Sequence, residues 1–88
     1  MTTKGTILIV EDEQAHGEAM AEGLSRQNFE CQVVTSGEDA YRALNERPFD
    51  VVVTDYRLGG KVDGMDVLRE TKAKWPEAEV VLITAHGN

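Results

Sequence analysis

The chain has 88 residues, 41% hydrophobic and 28% charged, a composition typical of one small folded domain. Its formal net charge of −7 argues against nucleic-acid binding by this segment, because phosphate backbones are bound by clustered lysine and arginine. No apolar run is long enough to cross a bilayer and no signal peptide is evident, so we expect a cytoplasmic protein without membrane contact. The single cysteine, Cys31, cannot form an internal disulfide and is interpreted as an inert strand thiol.

Four short apolar runs alternate with helical patterns along the chain. The runs predict strands at residues 6–10, 31–34, 51–54 and 80–84. The first, third and fourth runs are continuously apolar, which is typical of parallel strands covered by helices on both faces. The order β-α-β-α-β-α-β therefore predicts an α/β fold with a doubly wound parallel sheet and right-handed crossovers.

Each intervening segment has an apolar helical face that can pack on the sheet. These faces comprise Met20, Gly23 and Leu24, then Ala40, Ala43 and Leu44, and then Val67, Leu68 and Thr71. Ser36 has the spacing of a helix cap before the second helix, and Pro76 ends the third after Trp75, which we expect to anchor the helix end. Gly17 and Gly23 predict close packing of the first helix on the sheet.

The fourth run ends at residue 84 of 88, so no later part of this sequence is left to cover its outer edge. An uncovered apolar edge strand is a template for pairing with another chain. We therefore expect the sequence to be a fragment of a domain. If it folds as it stands, the pattern predicts a homodimer formed through residues 80–84.

Acidic and hydroxyl side chains follow three of the predicted strands. Glu11 and Asp12 come directly after the first run, Asp55 after the third, and Thr84 stands at the end of the fourth. Ligands of open parallel sheets bind beyond the carboxyl ends of the strands, so we expect these side chains to share one pocket if the first and third strands are neighbours. Three neighbouring carboxylates repel one another, which raised pKa values, a basic side chain or a hard divalent cation can compensate, and Mg²⁺ suits such oxygen ligands best.

Asp55 is the residue that we expect to be the nucleophile in this pocket. A carboxylate beside bound Mg²⁺ can attack a phosphoryl donor and form an acyl phosphate, while the metal neutralises developing charge. The alternative for any one of these acids alone is a structural role, since acids at strand ends often cap a turn or the next helix.

In order along the chain, "ILIVEDE", "DVVVTDYRL", "DGMDVL" and "VVLITAHGN" resemble the receiver domain of two-component response regulators. The resemblance implies a CheY-like, flavodoxin-like fold and a phospho-acceptor role for Asp55. It implies that Asp12 binds Mg²⁺ directly and Glu11 mostly through water. Arg57 would contribute its backbone carbonyl to the metal, and Thr84 would bind the phosphoryl group through its hydroxyl.

The ending "TAHGN" is similar to receivers of NtrC-type transcriptional activators, which carry an ATPase module and a DNA-binding domain downstream. The resemblance thus implies a sensor histidine kinase as partner, and contact with DNA only through domains outside this chain. It also implies that residues 1–88 are an incomplete receiver domain that lacks the last helix, strand and helix. The family's phosphate-binding lysine belongs to that missing part and is therefore absent as well. Gly59 and Gly60 stand where that family often has proline.

Two alternatives to a phospho-accepting module remain open from the sequence. One is a Mg²⁺-dependent phosphohydrolase with an aspartyl nucleophile, although Arg57 occupies the position where such an enzyme needs a second acid. The other is a non-catalytic dimerisation module of the same fold. In the leading hypothesis, Arg57 and His86 lie at the mouth of the pocket and modulate water access to the phosphorylated aspartate.

Overall fold

The structure is a computed structural model, and it describes residues 3–84. Within these residues, four parallel strands alternate with three helices. The elements are β1 (Gly5–Val10), α1 (Gln14–Arg26), β2 (Phe29–Val34), α2 (Gly37–Glu46), β3 (Val51–Asp55), α3 (Gly64–Lys74) and β4 (Glu79–Ile83). The strand order is β2-β1-β3-β4, which confirms the predicted doubly wound sheet. Asp55 is the last residue of β3, one position further along than the end of the predicted strand.

The main core lies between the sheet and helices α2 and α3. Leu8 of β1 and Val52 of β3 are register partners, and both are fully buried against Leu44 of α2 and Val67 of α3. Ile9 points to the other face of β1, because successive strand residues alternate, and it is buried there as well. Strand β1 is thus covered on both faces, as its continuous apolar run predicts, and this fixes the position of the strand that leads to Glu11.

The prediction that β4 is also covered on both faces is wrong for the described residues. Val80 packs against the core, but Val81 on the opposite face is 49% exposed. The reason is that α1 packs mainly on β2 and β1, while Val81 and its register partner Val53 lie further along the sheet. Among residues 3–84, no strand pairs with the outer edge of β4.

The two glycines of α1 have different surroundings. A Cβ atom on Gly17 would lie 2.7 Å from Cγ1 of Val33, so the predicted close packing on the sheet is confirmed there. The same prediction is wrong for Gly23, which is exposed and where an added Cβ atom would have no neighbour within 4 Å. Six residues at about 100° each place Gly23 about 240° around the helix from Gly17, away from the sheet.

Both predicted helix-end contacts are present. The Ser36 side chain accepts a hydrogen bond of 3.0 Å from the backbone N–H of Asp39, which caps α2. The indole Nε1 of Trp75 donates to the carbonyl oxygen of Leu44 at 2.9 Å, so the end of α3 is held on α2. These contacts fix the two helices that flank β3 on the core side.

Candidate functional site

Three carboxylates meet where β1 and β3 end. One carboxylate oxygen from each of Glu11, Asp12 and Asp55 lies within 4.8 Å of the other two. The cause is the parallel register, in which Val10 pairs with Thr54, so the residues that follow emerge side by side. The structure therefore brings together the three acids that the sequence pattern places at this edge.

The three carboxylates differ in burial. Glu11 is 6% exposed, Asp55 is half-buried and Asp12 is exposed. Burial raises the pKa of Glu11 above its ordinary value of 4.5; the hydrogen bond from the backbone N–H of Glu13, 3.1 Å long, lowers it, and the neighbouring Asp55 carboxylate raises it again. The site thus holds a buried acid whose negative charge is unfavourable until a cation compensates it.

The donor set fits Mg²⁺. All three groups are hard oxygen ligands, and octahedral coordination at about 2.1 Å separates ligand oxygens by about 3 to 4.2 Å. The three carboxylate oxygens lie within 4.8 Å of one another, which is slightly wider than this spacing. Small side-chain rotations are therefore sufficient to bring them to the spacing of Mg²⁺ ligands. Asp12 and Asp55 have the exposure that an ion with several bound waters requires.

The main chain around Asp55 is fixed on several sides. The Thr54 hydroxyl donates to the Asp55 carbonyl oxygen at 3.0 Å, and the Tyr56 N–H donates to the carbonyl oxygen of Ile83 at 2.8 Å. Ile83 is also the register partner of Asp55. Thr84, which follows Ile83, is exposed beside the end of β3.

The loop from β3 to α3 lies along the acidic cluster. Leu58 is buried and anchors the loop, whereas Arg57 is exposed. Gly59 has a φ of 73°, a left-handed conformation that proline cannot adopt, and a Cβ atom on it would lie 3.8 Å from Oδ2 of Asp12. Proline, which the resembled family often has here, therefore does not fit the path of this loop.

Sequence reasoning missed how α3 begins. Asp63 accepts a 3.0 Å hydrogen bond from the N–H of Asp66, and Asp66 accepts a 3.1 Å bond from the N–H of Asp63, a reciprocal capping box. Asp66 is therefore a capping residue of α3. The spacing Asp-x-x-Asp before an apolar helix was the available signal.

Comparison with known proteins decides the family. The family model of the response regulator receiver domain matches residues 7–88. The chain belongs to the response regulator receiver domain family. Receiver domains of response regulators serve phosphorelay signalling and transcription regulation, interact with histidine kinases, often dimerise, and are generally not enzymes in the usual sense.

Individual relatives of this receiver chain agree with the family. It is 37% identical over 79 residues to the transcriptional regulatory protein QseB of Escherichia coli O157:H7, covering 90% of this chain and 36% of that protein. Among solved structures, NtrX from Brucella abortus in complex with ATP has a TM-score of 0.88 at 35% identity, covering 96% of this chain and 19% of that one. The chain thus spans about a third or less of these relatives. It is also 27% identical over 85 residues to the DNA-binding transcriptional regulator NtrC of Proteus hauseri, covering 97% of this chain and 18% of that protein, which confirms the similarity to NtrC-type regulators.

A third match bears on the acidic cluster. The receiver domain of the sensor histidine kinase PA1611 from Pseudomonas aeruginosa has magnesium coordinated in its active-site cleft. It has a TM-score of 0.82 at 25% identity, and the match covers 93% of this chain and 68% of that one.

No helix within residues 3–84 is long and apolar enough to span a membrane. His86 lies outside the described residues.

Proposed function

We propose that this receiver chain accepts a phosphoryl group on Asp55 from a sensor histidine kinase, with Mg²⁺ bound by Glu11, Asp12 and Asp55, and that phosphorylation switches a transcriptional effector. The convergence of these carboxylates within 4.8 Å at the carboxyl edge of the sheet carries the proposal. Asp55 suits the acceptor role because it is half-buried at a strand end and its main chain is held by hydrogen bonds.

The proposed step is phosphoryl transfer from a phosphohistidine to a carboxylate. An oxygen of Asp55 forms a bond to phosphorus while the bond from phosphorus to the imidazole nitrogen breaks, and that nitrogen keeps the electron pair and takes up a proton. Bound Mg²⁺ supplies the positive charge that neutralises the carboxylates and the phosphoryl oxygens. In the proposal, the Thr84 hydroxyl donates a hydrogen bond to the phosphoryl group, and Glu11 holds a metal-bound water.

The backbone carbonyl of Arg57 completes the proposed metal ligands. The family of the chain supports a direct role for Asp12 and a role mostly through water for Glu11. Arg57 is an exposed residue two positions after Asp55, and its side chain is proposed to modulate water access to the aspartyl phosphate.

The proposed partners follow from family and charge. A histidine kinase is the phosphoryl donor, and a second copy of the chain is a partner through residues 80–84. DNA contact is assigned to other domains, because this segment carries a net charge of −7. The whole of residues 1–88 is assigned to the receiver domain, and a cytoplasmic location is proposed from the family.

Intact mass spectrometry after incubation with acetyl phosphate tests the function. A phosphoryl adduct that requires Mg²⁺ and is absent from Asp55→Asn is expected. An adduct of equal yield in Asp55→Asn would assign the acceptor elsewhere. No adduct from folded chain would contradict phosphoryl acceptance by this chain.

A second candidate, a dimerisation module without phosphoryl transfer, is favoured by one observation. The outer edge of β4 is unpaired within the described residues, and Val81 of that strand is 49% exposed. Apolar edge strands pair readily with other chains. Association that depends on protein concentration and ignores both Mg²⁺ and acetyl phosphate would favour this candidate.

A further inference from the structure

The first residue of α3 lies against the main chain of the proposed phospho-acceptor. A Cβ atom on Gly64 would lie 2.2 Å from the carbonyl oxygen of Asp55 and 2.8 Å from Cα of Tyr56. These neighbours are main-chain atoms, which cannot rotate away as the end of a side chain can. The φ angle of Gly64 is not positive, so the requirement for glycine here is one of space and not of backbone conformation.

The same turn is held in place by hydrogen bonds. The N–H of Gly64 donates to the carbonyl oxygen of Tyr56 at 2.9 Å. On the helix side, the capping box between Asp63 and Asp66 fixes the first turn of α3. The start of α3 therefore packs against the stretch of main chain that bears the Asp55 carboxylate and holds it in place.

We propose that Gly64 is a positioning residue for phosphoryl transfer. Its missing side chain lets α3 hold the main chain of Asp55 and Tyr56 where the Asp55 carboxylate reaches Glu11 and Asp12. This inference rests on the proposed function for the transfer step. An added methyl group must move the main chain by about 1 Å to reach ordinary van der Waals contact, and displacements of about 1 Å can slow a reaction about 10²-fold.

The test compares Gly64→Ala with a matched glycine variant far from the site. Gly5 lies at the start of β1, at the opposite edge of the sheet. A Cβ atom there would lie 2.8 Å from Oδ2 of Asp50, a side-chain atom that accepts a hydrogen bond from the N–H of Thr6. Both variants are made in a Gly23→Ala background. Nothing lies within 4 Å of a Cβ atom on Gly23, and alanine favours the helix, so this background adds stability to both variants.

Two quantities are measured at equal folded fraction: the rate of phosphorylation by acetyl phosphate, and the Mg²⁺ affinity by isothermal titration calorimetry. Gly64→Ala is expected to slow phosphorylation at least about tenfold and to weaken Mg²⁺ binding, because both depend on the place of the Asp55 carboxylate. Gly5→Ala is expected to change neither. A purely structural role of Gly64 would lower stability without changing the rate or the affinity of the folded chain.

Values for Gly64→Ala equal to those of the Gly23→Ala reference would overturn the positioning role and leave the proposed function intact. If the reference itself takes no phosphoryl group, the proposed function fails, and an unchanged Mg²⁺ affinity in Gly64→Ala then overturns the positioning role separately. Should Gly64→Ala not fold in this background, Asp63→Ala loosens the same turn without adding an atom beside Asp55. An unchanged phosphorylation rate in that variant overturns the proposal.

Discussion

The carboxylate of Glu11, which is 6% exposed, lies within 4.8 Å of the carboxylate of Asp55 across two neighbouring strand ends. Burial, and then the charge of Asp55, raise the pKa of Glu11 above 4.5. At pH values between the ordinary pKa and the raised one, the folded state binds more protons than the unfolded state. The free energy of unfolding therefore falls as the pH rises through this window, and the full destabilisation by ionised Glu11 is present above it.

Glu11→Gln is expected to raise the free energy of unfolding at pH 7 in the absence of Mg²⁺. Glutamine removes the buried charge and keeps an oxygen that can accept the hydrogen bond from the N–H of Glu13. Mg²⁺ is expected to stabilise the wild type more than the variant, since binding to the folded state alone adds to stability. Urea denaturation followed by circular dichroism, with and without Mg²⁺, measures both effects. A variant less stable than the wild type at pH 7 without Mg²⁺ contradicts the expectation.

Gly23→Ala is expected to stabilise the chain by up to about 1 kcal/mol, because alanine favours the helix and the site has open space. Gly17→Ala in the same helix is the matched control. It is expected to destabilise the chain, since its methyl group would lie 2.7 Å from Cγ1 of Val33. Urea denaturation gives both values, and equal effects of the two substitutions would be inconsistent with the structure.

Asp63→Ala is expected to lower the free energy of unfolding by about 1 kcal/mol through loss of the cap on α3. Asp63→Ser keeps an oxygen that can accept the N–H of Asp66 and is expected to retain most of the stability. Thermal unfolding measured by calorimetry compares the two variants. If serine costs as much as alanine, the stabilisation comes from the charge of Asp63 and not from its cap.

Val81→Lys is expected to shift the chain towards monomer if residues 80–84 form the proposed dimer contact, since charges on an edge strand oppose pairing. The cost to the fold is expected to be small because the side chain is 49% exposed. Gln27→Lys, an equal change of charge at an exposed position beyond α1, is the control. Sedimentation velocity over a range of concentrations measures the shift. A wild type that is monomeric throughout rules out the contact.

The acidic cluster was predictable up to one condition. Parallel strands end at the same edge, so the acids after β1 and at the end of β3 lie close together if these two strands are neighbours, and the pairing of Val10 with Thr54 meets that condition. The exposure of Val81 was not predictable in the same way, since it depends on how far α1 reaches across the sheet. The contact at Gly64 depends on the approach of two main chains, which no spacing in the sequence encodes.

Trp75, the only tryptophan in the chain, lines a groove with Phe49 and Ala78 at the edge where β3 and β4 begin. The acidic cluster lies at the edge where strands end, so the indole and the cluster are separated by the length of the sheet. Tryptophan fluorescence should therefore respond when the indole leaves Leu44 during global unfolding, and should be silent to occupancy of the cluster in the folded state. Trp75 is thus an intrinsic fluorescent probe that reports the folding of the chain and does not report binding at the acidic cluster.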